Sequence, residues 1–369
     1  MSAPRFTAIV EALSETVPFV GPEALARQNG VPTLARIGAN ESGFGPSPKV
    51  LEAMAKAGPD IWKYPDPENY DLRHALARHL GIAADEVVIG EGIDGLMGLL
   101  VRVFINEGDV VATSLGGYPT FNYHVVGHGG VLATVPYRND HEDPEALAEL
   151  AQTSGARMVY LANPDNPMGT WWPAATIEAF IDAVPEDCLV VLDEAYGETA
   201  PAGTLPPFNT SRPNVIRLRT FSKAYGLAGI RVGYAVGNKR LIGGFNRIRN
   251  HFGVNRLAQV AAMAALEDQA YLQQAVVAIH RANARIAAIA AESGLASVPT
   301  ATNFVAVDCG QDGAYARRVL EELGKRGIFV RKPAAPVLDR CIRISAGPDD
   351  ALDLLAEHLP ASLKAAYEP

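Results

Sequence analysis

Between residues 86 and 236 the chain alternates short β-branched runs with amphipathic segments, and this alternation restricts the fold more than any other feature. The runs are EVVIG (86–90), DVVATS (109–114), VLATVPY (131–137), RMVYLA (157–162), CLVVLDE (188–194), NVIRLRT (214–220) and RVGYAV (231–236). PEALAELAQ (144–152) and PAATIEAFIDAV (173–184), with helical spacing of apolar positions, lie between them. Such a pattern predicts an α/β layer architecture around a mostly parallel sheet. Runs that are apolar nearly throughout fit strands buried on both faces.

Beyond residue 255 the texture changes. An Ala-rich segment predicts one long helix ending at Gly294, followed by NFVAVD, a helix near 312–326, GIFVRK, CIRISAG and a terminal helix. This reads as a smaller α+β unit over 255–369, after a large unit over 49–254. Residues 1–48, with six prolines, read as an irregular arm. A length of 369 residues suits two units, because single cores stop growing at about 250 to 300 residues.

Charge narrows the partners. Lys+Arg 32 against Asp+Glu 41 gives a net −9, dispersed along the chain, which argues against nucleic acid or an anionic membrane. The three cysteines are far apart and no metal-ligand spacing accompanies them, so no metal and buried free thiols in a reducing compartment are expected. No apolar run is long enough to span a bilayer, and MSAPRFTAIVEALSETV has no uninterrupted apolar stretch of a signal peptide. A cytoplasmic protein is expected.

Four stretches carry chemistry. VVIGEGIDG contains Gly90-x-Gly92-x-x-Gly95 after a strand and at the start of a helix. By itself it is a weak dinucleotide fingerprint, and a turn needed only for packing explains it nearly as well. Its local content is an anion site on the free N–H groups at Ile93 and Asp94. NPDNPMG places Asn166 in a rigid loop after a strand, which a simple turn would also do. In VVLDEAYGE the carboxylate of Asp193 follows four apolar residues, so it needs a cation, a helix to cap or an internal ion pair. TFSKAYGLAGIRVGY sets Lys223 after a strand and Arg231 eight residues later. A lone lysine is more often a surface charge; one at a buried strand end has the lowered pKa that Schiff-base chemistry needs. Asn166, Asp193, Lys223 and Arg231 at the margins of one sheet favour the second reading.

Together with ANESGFGPSP (39–48), KYPDPENYDLRHALA (63–77), YPTF (118–121), FGVNRLAQ (252–259) and CIRISAG, these stretches resemble the fold-type I pyridoxal-phosphate (PLP) aminotransferases, in particular the histidinol-phosphate aminotransferase branch. The resemblance implies the three-layer PLP-dependent transferase fold with a smaller C-terminal α+β domain against which the arm packs. It implies ping-pong transfer of an amino group to a 2-oxo acid, 2-oxoglutarate above all, in a homodimeric enzyme of amino-acid biosynthesis. In that pattern Lys223 binds the cofactor's aldehyde and shuttles a proton, Asp193 pairs with the pyridinium nitrogen, and Asn166 and Tyr196 hydrogen-bond the phenolic oxygen. Phe121 stacks on the ring, while Gly92, Ile93, Asp94, Ser222 and Arg231 form the phosphate cradle. Tyr64 reaches the neighbouring subunit's phosphate. Arg343 grips the substrate α-carboxylate and Arg331 its phosphate.

Several positions depart from that pattern. GEGIDG replaces a Gly-Asn-Gly-Ser-Asp-Glu type of loop and adds Glu91; Phe19 and Phe121 stand where tyrosines are common; NPMG replaces Asn-Pro-Thr-Gly. Arg256 adds a cation that reads either as an anion contact or as a helix-start charge. A phenol missing beside a phosphomonoester removes roughly 1 to 3 kcal/mol of recognition, so an aromatic or other apolar amino donor stands beside histidinol phosphate. A decarboxylase or lyase on the same scaffold, similar to the threonine-phosphate decarboxylases, is the alternative. A nicotinamide oxidoreductase leaves Lys223 and Asp193 without a role, and a PLP-binding regulator lacks a DNA-binding domain.

Overall fold

The structure, a computed structural model, describes residues 4–15 and 20–367. Seven strands form the central sheet: β1 (Val87–Gly90), β2 (Val110–Ser114), β3 (Val131–Val135), β4 (Met158–Ala162), β5 (Leu189–Asp193), β6 (Val215–Thr220) and β7 (Gly233–Gly237). Their spatial order is β1-β7-β6-β5-β4-β2-β3. β7 is antiparallel to both neighbours, and every other pairing is parallel.

Every residue of β4 and β5 is buried, because helices cover both faces. Alternate residues sort accordingly. Met158, Tyr160, Leu189 and Val191 pack under the helices Gly92–Phe104 and Lys239–Asn246. Val159, Leu161, Val190 and Leu192 pack under Pro144–Thr153 and Ala174–Ala183. The period of two along each strand therefore builds two cores from one sheet. Only the edge strand β3 keeps exposed positions.

A second, antiparallel sheet joins Ala296–Ser297, Phe304–Asp308 and Cys341–Ser345. The arm is more regular than the proline count suggests. It contains helices Ala8–Glu11 and Pro22–Asn29, and Ala35–Arg36 pairs in parallel with Ile328–Phe329. The single Ala-rich helix expected after residue 255 is two helices, Arg256–Glu267 and Gln269–Glu292. The break is at Asp268, whose carboxylate accepts hydrogen bonds from Ser47 Oγ and Lys49 Nζ at the start of the helix Pro48–Ala57. A tertiary contact thus overrides uniform helix propensity.

Cys188, Cys309 and Cys341 are buried free thiols, each pushed up to about 12 by burial. Among the described residues no helix is long and apolar enough to cross a membrane, and no His, Cys, Asp and Glu group could hold a metal.

Candidate active site

Parallel strands deliver their carboxyl ends to one edge of the sheet, where ligands of α/β proteins sit. Ala162 of β4 stands opposite Asp193 of β5, so the loop with Asn166 leaves the sheet beside Asp193. β6 ends at Thr220, opposite Gly233 of β7, and Gly233 is also opposite Gly90 of β1. The register alone brings Lys223, Arg231 and the start of the helix Gly92–Phe104 together.

Two glycines make that convergence possible. Gly92 has φ +76, and a Cβ there would strike the Arg231 guanidinium. Gly226 has φ +73, and a Cβ there would strike the Gly45 carbonyl, so the lysine loop can lie against the segment that follows Asn40. Arg231 is itself left-handed at φ +61, which lets its guanidinium fold back. Its Nη1 donates to Ser222 Oγ at 3.3 Å and to the Ala228 carbonyl at 2.9 Å. Its Nη2 lies 3.8 Å from Asp94. The Thr220 hydroxyl donates to Ser222 Oγ at 2.9 Å. Ser222, Arg231 and the unpaired N–H groups of the first helical turn at Ile93 and Asp94 therefore form one anion cradle.

Asp193 accepts from Tyr160 Oη at 2.6 Å and from the Ala195 amide at 3.0 Å. Burial pushes its carboxyl up to about 6. A buried acid held this way is set to become a full anion once a cation arrives opposite it. Lys223 is shifted the other way, down to about 8. Burial is the first cause and the positive charges of Arg343 and Arg231 add to it, against Asp94 and Asp193. A neutral nucleophilic amine is thus available close to neutral pH. The sign matters for stability without cofactor: a lysine pKa lowered by folding costs stability in full below about pH 8, and that cost fades as pH rises toward the ordinary 10.5.

Arg343 meets Asn166 across the site, its Nη1 donating to Asn166 Oδ1. Its Nε is buried without a partner, and burial presses against its charge. Arg331 and Arg343 form an isolated antiparallel bridge, which turns two directly opposed side chains to the same side. Arg331 also donates to the Val20 carbonyl at 3.1 Å.

One expectation changes. Phe121 is 0% exposed and its ring stacks on Tyr160, with centroids 4.2 Å apart. It backs the Asp193–Tyr160 pair and has no face open to the site, because the first turn of the helix Pro119–Gly127 points it into the core. Tyr118, three residues earlier, is the aromatic residue at the edge, donating to Asp94 at 3.0 Å. Arg256 opens its helix and donates to the Tyr64 carbonyl at 2.8 Å, so it braces Tyr64. Phe19 lies outside the described residues. Tyr64 itself is 76% exposed on an outward groove of about 750 Å³, with its ring near Phe252.

Sequence reasoning assigned nothing to Asn40, Tyr160 or Tyr118. Tyr160 reads as one more apolar strand residue, and Asn40 carries no local signal beyond its place in ANESGFGPSP.

The chain is also similar to known proteins. The family model described as aminotransferase class I and II matches residues 33–359. A histidinol-phosphate aminotransferase of Anaeromyxobacter sp. (strain Fw109-5) is 37% identical over 342 residues, 92% of this chain and 93% of the relative. One from Moorella thermoacetica is 36% identical over 350 residues, 94% of this chain and 90% of the relative. Among solved structures, histidinol-phosphate aminotransferase from Sinorhizobium meliloti in complex with pyridoxal-5'-phosphate is 56% identical, with a TM-score of 0.96 over 98% of both chains. Aspartate aminotransferase from Thermus thermophilus, 22% identical with a TM-score of 0.81 over 98% of this chain and all of the other, shares the fold. By the extent of the family match and of these relatives, this chain belongs to the class I and II aminotransferases.

Proposed function

We propose that the chain is a PLP-dependent aminotransferase whose amino donor is histidinol phosphate and whose acceptor is a 2-oxo acid, 2-oxoglutarate above all. The observation that carries the reading is Arg343: a half-buried arginine whose buried Nε has no partner, bridged to Arg331 and electrostatically coupled to Lys223. Two arginines on one side suit a dianion, either a phosphate monoester or the two carboxylates of 2-oxoglutarate. The relatives from Anaeromyxobacter and Sinorhizobium support the donor.

The residues fit the cofactor. The cradle of Ile93, Asp94, Ser222 and Arg231, opened by Gly92, suits a phosphate. Asp193, held by Tyr160, suits a protonated ring nitrogen, and Asn166 with Tyr196 a phenolic oxygen. Bound PLP supplies an electron sink for the pair released when a Cα–H bond breaks. Lys223 holds the cofactor and, as a neutral amine, takes and returns that proton. Asp193 keeps its charge opposite the ring nitrogen. Burial keeps the Tyr196 phenol protonated, its pKa raised, so it remains a donor. Arg343 and Arg331 orient the substrate anion.

We also read the assembly as a cytoplasmic homodimer in which the exposed Tyr64 enters the partner's site. Its units are an arm (1–48), a large domain (49–254) and a small domain (255–369).

The test is a half-reaction without acceptor. Histidinol phosphate should bleach the yellow protein at least about tenfold faster than phenylalanine or tyrosine. Equal rates would return the donor to the aromatic amino acids, and release of CO2 from an amino acid without amine transfer would replace transamination by decarboxylation. In steady-state turnover with both substrates, Arg343→Ala should lower kcat/KM for 2-oxoglutarate by about 10²-fold or more, the cost of losing one partner of a charge-assisted pair within the site. PLP affinity, measured by titration, should stay near wild type; its collapse would place Arg343 in the cofactor site instead.

A further inference from the structure

We propose that Asn40 is a positioning residue that ties the small C-terminal sheet to the aim of Lys223 and Tyr196. The inference rests on the reading of Lys223 as the reacting amine. It stands on five hydrogen bonds converging on one residue that is 2% exposed.

Toward the site, the Asn40 carbonyl accepts from Lys223 Nζ at 3.1 Å. Its side-chain Nδ2 donates to Tyr196 Oη at 2.9 Å. Toward the small sheet, the Asn40 amide donates to Ser345 Oγ at 2.9 Å, and Asn40 Oδ1 accepts from the same hydroxyl at 3.1 Å. Asn303 Nδ2 donates to the Asn40 carbonyl at 3.0 Å. Ser345 ends the strand that carries Arg343, and Asn303 precedes the strand paired with it.

Two physical consequences follow. Asn40 has φ +55, a left-handed conformation that asparagine adopts far more readily than residues without a short polar side chain. That conformation turns the carbonyl toward Lys223. A carbonyl acceptor stabilises the ammonium form, so it opposes burial, which favours the neutral amine. The second consequence concerns Tyr196. Because its oxygen already accepts from Asn40, its own proton is free to be donated into the site. A shift of the strand bearing Arg343, through Ser345, therefore moves both groups at once.

The groups that face Lys223 are Arg343 from the small sheet, Asp94 from the helix start, Arg231, Asp193 and Tyr196, whose ring centroid lies 5.5 Å from Nζ. None of them is altered by the substitutions below.

The experiment is pH-dependent acylation of Lys223 in the full-length, cofactor-free chain, read by peptide mass spectrometry. It requires no substrate, so it does not depend on the identity of the donor. Wild type should label with a midpoint near pH 8; a midpoint near 10.5 would overturn the reading of Lys223 itself. Asn40→Ala should lower the midpoint by about half a unit or more, since alanine disfavours the left-handed backbone that aims the residue-40 carbonyl at Lys223. Asn40→Gly tolerates the left-handed backbone and should keep the midpoint, yet lose roughly tenfold in kcat through Tyr196. Ser345→Ala removes both bonds by which the small sheet holds Asn40 and should lower the midpoint in the same direction, by less than Asn40→Ala. An unchanged midpoint in folded Asn40→Ala or in Ser345→Ala, or a midpoint lowered as far in Asn40→Gly as in Asn40→Ala, overturns the proposal. Should Asn40→Ala fail to fold, Asn40→Asp decides. It retains the left-handed preference but cannot donate to Tyr196, so kcat falls about tenfold; wild-type kcat there overturns the proposal too.

Discussion

Lys223→Ala lowers kcat/KM by at least about 10³-fold and abolishes the visible absorbance of the cofactor-loaded protein. On the roles proposed for Lys223, both the attachment point and the proton carrier are lost in one substitution, and either role alone is worth about 10² to 10⁴ in rate. Lys223→Arg is the informative companion. It keeps a cation in the same position, between the cradle and Arg343, but guanidinium does not deprotonate in the working range. If charge were all that mattered, Lys223→Arg would retain most of the activity. The site predicts that it fails as completely as Lys223→Ala. Steady-state rates and the absorption spectrum after reconstitution with PLP check this, and a yellow, active Lys223→Arg protein would remove Lys223 from the reaction.

Glu194→Ala destabilises the fold by about 3 to 5 kcal/mol, and its neighbour Asp193 is not the reason. Glu194 is 1% exposed beneath the sheet's edge. Its Oε1 accepts from Arg217 Nε at 2.8 Å and Nη2 at 2.7 Å. Its Oε2 lies 3.5 Å from Arg219 Nη1, and Arg219 Nη2 reaches Glu198 at 2.7 Å. Arg217 also lies over the Phe208 ring at 4.0 Å and donates to the Pro207 carbonyl at 2.9 Å. Removing the shared carboxylate leaves two largely buried arginines short of an anion, and breaking a buried pair on one side carries a cost of this size. Urea unfolding of the cofactor-free protein, followed by circular dichroism, measures it. The double variant Glu194→Leu with Arg217→Met should recover much of the loss, because apolar replacement of the whole pair is close to neutral. A loss below about 1 kcal/mol in Glu194→Ala would mean that the ion pair is solvated.

The two neighbours in LDEAY illustrate what can be read from a chain and what cannot. A carboxylate after four apolar residues demands a partner, and both Asp193 and Glu194 satisfy that demand. Which one faces the site depends on strand alternation: Asp193 bonds to Tyr160 on one side, Glu194 to arginines of β6 on the other. Phe121 shows the same limit on a helix. Its place in YPTF is visible, but the rotation of the first turn, which buries it on Tyr160 and leaves Tyr118 at the edge, comes from packing against the sheet. The break at Asp268 has a similar origin. The local composition is uniformly helix-forming, and only the approach of Ser47 and Lys49 makes a turn there worthwhile.

Local patterning within the chain specified the α/β layers, the mostly parallel sheet and the placement of Asn166, Asp193, Lys223 and Arg231 at strand margins. These follow from local periodicity and from the cost of burying a charge, both of which are written within short windows. Tertiary structure alone decided that Arg343 meets Asn166, that Asn40 joins Lys223 to Ser345, and that Phe121 turns inward. Those contacts link residues separated by up to 305 positions, and for the long-range pairs no local pattern encodes a hydrogen bond whose geometry is set by one sheet packing beside another.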